Sequence, residues 1–430
     1  MLRQLSPTEH SWHRVGELDS NNFIVIAELS GALDERQLHD SLVQLIQSQA
    51  ILSYDLLSKG EKLYFIQGEL EDVPLESFSV SNRDERDYLV DQCLNTPIDN
   101  CPYWNMKIIS IGRFQHSLVL TFNHLLADGR TGIKFFDYLL NTMADSNYQI
   151  PKAEPVKSFE HSYSQQKDVM QTLKTYSWGV KNKFARKATI PCAKDKRDKI
   201  KRDDIKGRSA YVSRRMDSGQ LNKILSFSRL YEASFTSTLS TVFLSTIAKK
   251  YELSKPIHSL VAVDTRPYAK DSDYSALNYA VGTIEVGTKF SKSTKLSTVT
   301  KQFKDEFREK CTPIQFAFDK FTRSLALKKF PQPEEFLQAF QENQNAVGLV
   351  TNIGVTGLKN QYGGLKVQHC YHIPASHLID KPFYCLASST HNNELILNLT
   401  YPAHLIDRKD ADALLDEIVE TLQDLHQEVS

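Results

Sequence analysis

Two spacings of hydrophobic residues recur along this chain, and each predicts one kind of element. Short runs rich in β-branched and aromatic residues, such as 117–123, predict buried strands, whereas apolar residues three and four apart, as in 34–49, predict amphipathic helices. Strands are predicted at 22–29, 62–68, 104–111, 117–123, 209–215, 256–264, 280–286, 348–355, 383–389 and 395–401. Helices are predicted at 34–49, 131–141, 221–231, 234–251, 297–310, 334–343 and 407–425. Strands and helices mix in both halves, which predicts the α/β class.

Capping and turn residues support several of these boundaries. Asp34 and Asp407 each stand at the start of a predicted helix, where an aspartate side chain can accept hydrogen bonds from the first free backbone N–H groups. Asn392 and Asn393 separate two predicted strands and are typical of a hairpin turn. These signals predict a hairpin followed by a helix over 383–425.

The length of the chain predicts two domains. A single hydrophobic core usually stops growing near ~250–300 residues, and this chain has 430. Hydrophobic residues thin out over 152–208, so we expect an N-terminal subdomain at 1–175, a linker at 176–208 and a C-terminal subdomain at 209–430. Lysine, arginine and aspartate alternate over 194–208. That stretch fits either a solvated linker or surface helix, or a site for a phosphorylated donor such as coenzyme A or a carrier protein.

Charge and cysteine content exclude several classes of protein. Lysine plus arginine and aspartate plus glutamate number 52 each, so the chain lacks the basic excess of a general nucleic-acid binder. The N-terminal sequence does not resemble a signal peptide, and no apolar run approaches the ~20 residues of a membrane helix. Six scattered cysteines without a C-x-x-C pair are typical of a reducing compartment. We therefore expect a cytoplasmic protein without an integral membrane segment.

The candidate catalytic residue is His124, which follows the predicted strand 117–123 in the segment His124-Leu-Leu-Ala-Asp128-Gly129. Imidazole is the side chain most readily poised to take a proton near neutral pH, and loops after strands often carry catalytic groups. Asp128 is close enough in sequence to orient the imidazole, and Gly129 permits a tight turn or a positive φ. Taken alone, the pattern also fits a histidine whose hydrogen bonds are satisfied in the core.

Other sequence signatures do not predict a metal site or a nucleophile. His369, His372 and His377 are close in sequence, but their irregular spacing is not typical of a metal site. The chain contains no G-x-S-x-G, G-x-x-x-x-G-K-[ST], G-x-G-x-x-G or H-E-x-x-H segment. We therefore expect no metal and no tightly bound cofactor.

The segment from His124 to Gly129 resembles the H-x-x-x-D-G motif of the chloramphenicol acetyltransferase-like superfamily. This superfamily includes nonribosomal peptide condensation domains, plant BAHD acyltransferases and phthiocerol diester synthase-type acyltransferases. Asn123 replaces the first histidine of the H-H-x-x-x-D-G form, whereas the second histidine, which is the functional one in the family, is present. Further segments that resemble the family, in the family's order, are 3–10, 50–55, 97–99, 102–104, 264–267, 280–283 and 350–354.

The resemblance implies a fold of two chloramphenicol acetyltransferase-like subdomains. Each is a mixed sheet with flanking helices, and together they form a V-shaped pseudo-dimer with the active site at the interface. Arg266 in the Asp264-Thr-Arg266-Pro267 segment is the implied ion-pair partner of Asp128. The tunnel or oxyanion candidates are Thr283, where asparagine is frequent, Thr351, where serine is frequent, and Asn352.

The resemblance also implies an acyltransferase that works without an acyl-enzyme. His124 takes the proton from an acceptor alcohol or amine as it attacks the thioester carbonyl, and then returns a proton to the leaving thiolate. The donor is an acyl-CoA or an acyl-carrier protein, so that coenzyme A or phosphopantetheine is part of the substrate. We expect the protein to be a monomer.

Two questions stay open at the level of sequence. Asp128 either orients His124, as in a catalytic triad, or turns away to form a structural ion pair with Arg266. The reaction is either ester formation or amide formation by a free-standing condensation domain, and a catalytically silent relative is the third alternative. The intact His124, Asp128 and Gly129 argue against the silent alternative.

Overall fold

The computed structural model describes residues 3–153, 158, 174–177, 187–191, 207–269, 274–291 and 294–425. Its strands are β1 (Arg3–Gln4), β2 (Asn22–Ser30), β3 (Tyr54–Lys59), β4 (Lys62–Gln67), β5 (Leu75–Val80), β6 (Trp104–Ile111), β7 (Gln115–Asn123), β8 (Ser209–Met216), β9 (Ile257–Asp264), β10 (Val281–Thr288), β11 (Gly348–Val355), β12 (Gln361–Tyr362), β13 (Leu365–Pro374), β14 (Tyr384–His391) and β15 (Glu394–Pro402). Its helices are α1 (Pro7–Gly16), α2 (Glu35–Ser48), α3 (Arg83–Asn95), α4 (Gly129–Ala144), α5 (Ser218–Leu230), α6 (Phe235–Lys250), α7 (Leu296–Lys310), α8 (Pro313–Lys329), α9 (Pro333–Asn343) and α10 (Arg408–Asp424).

The first large sheet has six strands in the order β12-β13-β2-β7-β6-β5, of which only β5 and β6 run parallel. Strand β2 lies inside this sheet and is buried on both faces. Successive side chains of a strand point to opposite faces, so Phe23 and Val25 enter one hydrophobic core while Ile24 and Ile26 enter another. Burial on both faces explains why this strand is a continuous apolar run rather than an alternating one.

The second large sheet has six strands in the order β10-β9-β11-β14-β15-β8. Strand β11 runs parallel to β9 and β14, and the other pairs are antiparallel. Helices α5, α6 and α10 contribute to the core of this sheet, where Phe243, Tyr384 and Leu414 are fully buried. The predicted architecture of two mixed sheets with flanking helices is confirmed.

Strands β12 and β13 belong to the first sheet. Residues 361–374 were expected in the subdomain 209–430, but β13 pairs antiparallel with β2 of the first sheet, with Cys370 opposite Ala27. The chain thus leaves the second sheet after β11, adds two strands to the first sheet and returns as β14. The reason is that β13 forms hydrogen bonds with the free backbone edge of β2 and extends the apolar faces of the sheet.

The remaining domain predictions fall largely on residues that the structure does not describe. The expected linker at 176–208 is described only at 176–177, 187–191 and 207–208, and the charged stretch 194–208 lies outside the described residues apart from its last two. Among the described residues, no helix has both the length and the apolar character needed to cross a membrane.

Every strand and helix predicted from the sequence is present, with ends displaced by a few residues at most. The hairpin turn is formed by Asn392 and Asn393, whose φ angles of 51° and 60° lie in the left-handed region that asparagine tolerates. Asp34 caps α2 by accepting hydrogen bonds from the Arg36 and Gln37 N–H groups. The elements that the hydrophobic pattern did not predict are α1, α3, α8, β1, β3, β5, β12 and β13.

Candidate active site

Strand β7, which lies between β2 and β6, and the loop after it place His124 at the C-terminal end of a central strand of the first sheet. The His124 N–H donates to the Asn21 carbonyl at 3.2 Å, which ties the loop to the start of β2. The Asn123 side chain accepts a hydrogen bond from the Leu125 N–H at 2.9 Å and donates to the Ile98 carbonyl at 2.8 Å. These bonds fix the backbone on both sides of His124.

Aromatic side chains hold the imidazole ring of His124 in one orientation. Trp12 of α1 stacks on it with ring centroids 4.8 Å apart and an angle of 11° between the planes. Phe23 and Tyr279 contact the ring at centroid distances of 4.9 and 5.6 Å. The Trp12 indole N–H also donates to the Tyr279 hydroxyl at 3.2 Å. The sequence did not predict any of these three contacts.

The hydrogen bond of His124 determines which ring nitrogen is basic. Nδ1 lies 3.0 Å from the Ala127 carbonyl oxygen. Because a carbonyl oxygen can only accept, Nδ1 carries the hydrogen and Nε2 keeps its lone pair. Burial lowers the pKa of His124, although the Ala127 carbonyl and the Asp128 carboxylate partly oppose this effect. The ring is therefore neutral near pH 7 with Nε2 available to accept a proton, as a general base requires.

The Asp128 carboxylate turns away from His124 and is fully buried. Arg266 Nη2 lies 2.9 and 3.1 Å from its two oxygens, and the Thr131 and Ala280 N–H groups donate to it at 2.9 and 2.8 Å. Burial raises the pKa of Asp128, but the Arg266 guanidinium and the N–H donors outweigh it, so the pKa lies below its ordinary value. These contacts agree with the structural ion pair rather than with the triad.

Arg266 spans the junction between the two halves of the chain. Its Nη2 lies 2.9 Å from both the Thr131 hydroxyl and the Asn278 carbonyl, and its Nη1 lies 3.0 Å from Asp264. Thr131 and Asp128 belong to the start of α4, whereas Arg266 and Asn278 follow β9. The ion pair thus fastens the loop that carries His124 to the second sheet.

Gly129, which the sequence predicted to permit a tight turn or a positive φ, is needed for space and does not adopt the positive φ. Its φ lies outside the left-handed region, and it is the first residue of α4. A Cβ atom here would lie 3.1 Å from Ile353 Cγ2 and 3.3 Å from His372 Cδ2. The absence of a side chain lets β11 and β13 approach the loop that carries His124.

His124 lines a cavity of about 190 Å³ that both halves of the chain build. Helix α1 and the β7 loop supply one wall, and strands β9 to β11 with helices α8 and α9 supply the other. The lining is mostly apolar, including Leu260, Phe336, Phe340, Leu349, Ile379 and Phe383. Such a space suits an apolar substrate group that reacts at a few polar side chains.

The three tunnel or oxyanion candidates separate in the structure. Thr283 and Thr351 line the cavity. Asn352 does not, because neighbouring residues of a strand face opposite sides. Its amide donates to the Thr236 hydroxyl at 3.1 Å and accepts from the Ser388 hydroxyl at 3.0 Å, on the far side of β11. The Asn352 side chain therefore lies outside this cavity.

His372 is a second histidine in the cavity, and the sequence did not identify it as a site residue. It lies on β13, is only 3% exposed, and its Nε2 is 3.4 Å from the Thr351 hydroxyl. Burial, together with the nearby His124, lowers the pKa of His372 to about 4. No group of three or more metal-ligating side chains occurs in the described parts of the chain.

A family model of the condensation domain matches residues 16–430. The chain belongs to the condensation-domain family. The predicted superfamily is thereby confirmed, and the H-x-x-x-D-G segment of this condensation domain lies in the cavity between its two sheets. No curated protein sequence matches this chain.

Solved structures with the same fold include both condensation domains and an acetyltransferase. The condensation domain of the monacolin K polyketide synthase MokA is 13% identical, with a TM-score of 0.71 over 98% of this chain and 97% of that chain. The trichothecene 15-O-acetyltransferase TRI3 from Fusarium sporotrichioides is 11% identical, with a TM-score of 0.72 over 98% and 95%. A starter condensation domain of rhizomide synthetase RzmA, solved with C8-CoA, is 10% identical, with a TM-score of 0.71 over 98% and 94%. At these identities the likeness concerns the fold.

Proposed function

We propose that this condensation domain is an acyltransferase that moves an acyl group from a thioester to an alcohol, with His124 as general base. The observation that carries the proposal is the state of His124. The Ala127 carbonyl holds the hydrogen on Nδ1, burial keeps the ring neutral, and the ring lines an apolar cavity. A neutral imidazole with a free Nε2 is the form that accepts a proton from an attacking hydroxyl.

The proposed reaction is a direct transfer between two bound substrates. The acceptor oxygen attacks the thioester carbonyl carbon while His124 Nε2 takes its proton. The tetrahedral intermediate then collapses, the carbon–sulfur bond breaks and the protonated His124 returns the proton to the thiolate. General-base assistance of this kind is worth ~10²–10⁴ in rate, and holding both substrates in one cavity supplies a further contribution through orientation.

The cysteines support a route without an acyl-enzyme. The structure describes five of the six cysteines, and none of these five lines the cavity. Burial raises the pKa of Cys385 to about 12, which disfavours the nucleophilic thiolate form. The acyl group would therefore pass to the acceptor without resting on a thiol of the described residues.

The proposed donor is the thioester of coenzyme A or of a carrier-protein phosphopantetheine, with an apolar acyl group. The apolar lining of the cavity supports an acyl chain, and the RzmA relative was solved with C8-CoA. One chain supplies both walls of the cavity, which supports a monomer as the active form.

Amide formation is the second candidate because the family match is to the condensation domain. The same His124 would then take the proton from an amine that attacks a carrier-bound thioester. The geometry of the base is the same in both reactions, so the acceptor distinguishes them. Ester formation is the proposal that we carry forward.

The test is a transfer assay with purified protein, a series of acyl-CoA and acyl-N-acetylcysteamine donors, and matched alcohol and amine acceptors. We expect ester products by mass spectrometry and an unchanged intact mass of the protein after donor alone. Amide products without ester products would favour the condensation reaction. An acyl adduct on the protein would contradict direct transfer, and the absence of transfer from every donor would contradict the proposed function.

A further inference from the structure

The cavity that contains the proposed base also contains a pair of polar residues with no role in the proposed reaction so far. His372 on β13 and Thr351 on β11 both line the cavity that contains His124. Their strands come from different sheets, since β13 pairs with β2 and β11 pairs with β9 and β14. The pair therefore spans the junction at which the two sheets approach each other.

The surroundings of His372 determine its tautomer. Nδ1 is fully buried and has no hydrogen-bond partner within the described residues, whereas Nε2 lies 3.4 Å from the Thr351 hydroxyl oxygen. A hydrogen on Nδ1 would be a buried donor without an acceptor, which folded proteins rarely tolerate. The hydrogen is therefore on Nε2, and the imidazole donates to Thr351. Burial holds the pKa of His372 at about 4, so the ring stays neutral near pH 7.

A hydrogen bond from His372 determines what the Thr351 hydroxyl can do. A hydroxyl oxygen that already accepts one hydrogen bond still has its own hydrogen to donate. No acceptor for that hydrogen is found among the described residues, and Thr351 lines the cavity. The hydroxyl is thus oriented as a donor toward whatever occupies the cavity beside His124.

We infer that His372 is a positioning residue that holds the Thr351 hydroxyl as a hydrogen-bond donor to the carbonyl oxygen of the bound thioester. The inference rests on the proposed function. As the acceptor oxygen attacks the carbonyl carbon, the π electrons move onto the carbonyl oxygen, and the Thr351 hydroxyl stabilises the negative charge. When the carbon–sulfur bond breaks, these electrons return and the thiolate takes the proton from His124. Gly129 leaves the room that the His372 ring occupies.

The kinetic test is a double-mutant cycle of Thr351→Val and His372→Leu. Losing a preorganised donor to the oxyanion typically lowers kcat by ~10²–10³-fold, and we expect Thr351→Val to lower kcat in this way with little change in KM. His372→Leu should also lower kcat, but it should have hardly any further effect in the Thr351→Val background. Thr351→Ser and His372→Gln, which keep a hydroxyl and an N–H donor, should recover most of the loss.

Two kinetic outcomes would overturn the inference. The first is that His372→Leu lowers kcat by the same factor in the wild type and in the Thr351→Val variant, because His372 would then act independently of the Thr351 hydroxyl. The second is full activity of Thr351→Val. Melting temperatures of all variants separate a loss of chemistry from a loss of folded protein.

A second measurement keeps the inference testable even if the protein transfers no acyl group. In protein with ¹⁵N-labelled histidine rings, NMR identifies the protonated nitrogen, and His372→Gln assigns the signal. We expect the Nε2–H form for His372 and the Nδ1–H form for His124. The Nδ1–H form of His372 would overturn the inference directly. If His372 has the Nε2–H form but the protein transfers no acyl group, the proposed function is contradicted, and with it the role of the pair in transfer.

Discussion

Removal of either charge of the Asp128–Arg266 pair should destabilise the fold, and a cycle of Asp128→Asn and Arg266→Ala measures the coupling. Asp128 is fully buried and Arg266 is 5% exposed, with 2.9 Å between Asp128 Oδ2 and Arg266 Nη2. Asp128→Asn replaces one oxygen with an amide NH2, which cannot accept the hydrogen bond from the Ala280 or the Thr131 N–H. Arg266→Ala leaves the carboxylate buried without its counter-ion.

The expected magnitude follows from this burial. Breaking a buried ion pair by removing one partner costs about 3–5 kcal/mol because the other charge stays behind without compensation. After Arg266→Ala, Asp128 keeps only the N–H donors of Thr131 and Ala280. The double variant removes both charges, so it should be hardly less stable than either single variant.

Thermal unfolding and turnover of the three variants test the ion pair. We expect a clear loss of melting temperature for both single variants and a loss of turnover, because the pair anchors the loop that carries His124. The matched control is the surface pair of the exposed Arg408 and the half-buried Asp412, at 3.6 Å, for which Arg408→Ala should hardly change stability. Additive effects on stability, or a loss of turnover in Asp128→Asn without a loss of stability, would refute the structural ion pair and favour the triad.

Three further predictions concern protonation and space. Below pH 6.5 the unfolded His372 binds a proton, whereas burial keeps the pKa of the folded one at about 4. The contribution of His372 to the unfolding free energy should therefore fall by about 3 kcal/mol as the pH falls through that window, and His372→Gln should make the acid-denaturation slope shallower by that contribution. On the acidic side of the pH profile, kcat/KM should fall with an apparent pKa below 6.5, because burial lowers the pKa of His124. An apparent pKa above 6.5 would contradict a base whose pKa is lowered by burial. Gly129→Ala should lower turnover, and Gly129→Leu should lower it further, because a side chain at this position would be in close contact with Ile353 and His372. Gly364→Ala is the control, since a Cβ atom there has no neighbour within 4 Å.

The hydrophobic pattern predicted the central strands because burial on both faces makes each of them a continuous apolar run. Such a run can be recognised in the local sequence without knowing which strand it pairs with. Helix α1 was missed although its start carries a readable signal. Ser6 accepts a hydrogen bond from the Glu9 N–H, the Glu9 side chain accepts one from the Ser6 N–H, and Pro7 stands at the first helical position. This capping box is a local sequence pattern of a helix start.

Strand β13 could not be found in the same way. Its sequence places Gln368, His369 and His372 among apolar residues, so it shows no clear two-residue period. Its stability comes from pairing with β2, more than three hundred residues earlier in the chain, where Ile373 lies opposite Ile24. A pairing of that kind leaves no local pattern.

The candidate site was predictable only where its residues are contiguous. His124 and Asp128 lie in one short segment, and their proximity follows from the chain itself. Trp12 and His372 reach the same cavity from an unpredicted helix and an unpredicted strand. Asn352 is a residue that the sequence included in the site but that the structure places elsewhere. It is adjacent to Thr351 in the sequence, so in a strand its side chain points to the opposite face.

The central claim is that His124 is the base for acyl transfer, and the turnover of His124→Ala tests it most directly. With the best donor and acceptor pair, we predict a loss of ~10²–10⁴-fold relative to wild type, while His39→Ala, on the exposed face of α2, keeps wild-type turnover. The folded state of both variants is checked by melting temperature. A His124→Ala variant that stays folded and loses less than ~10-fold in turnover would contradict the account.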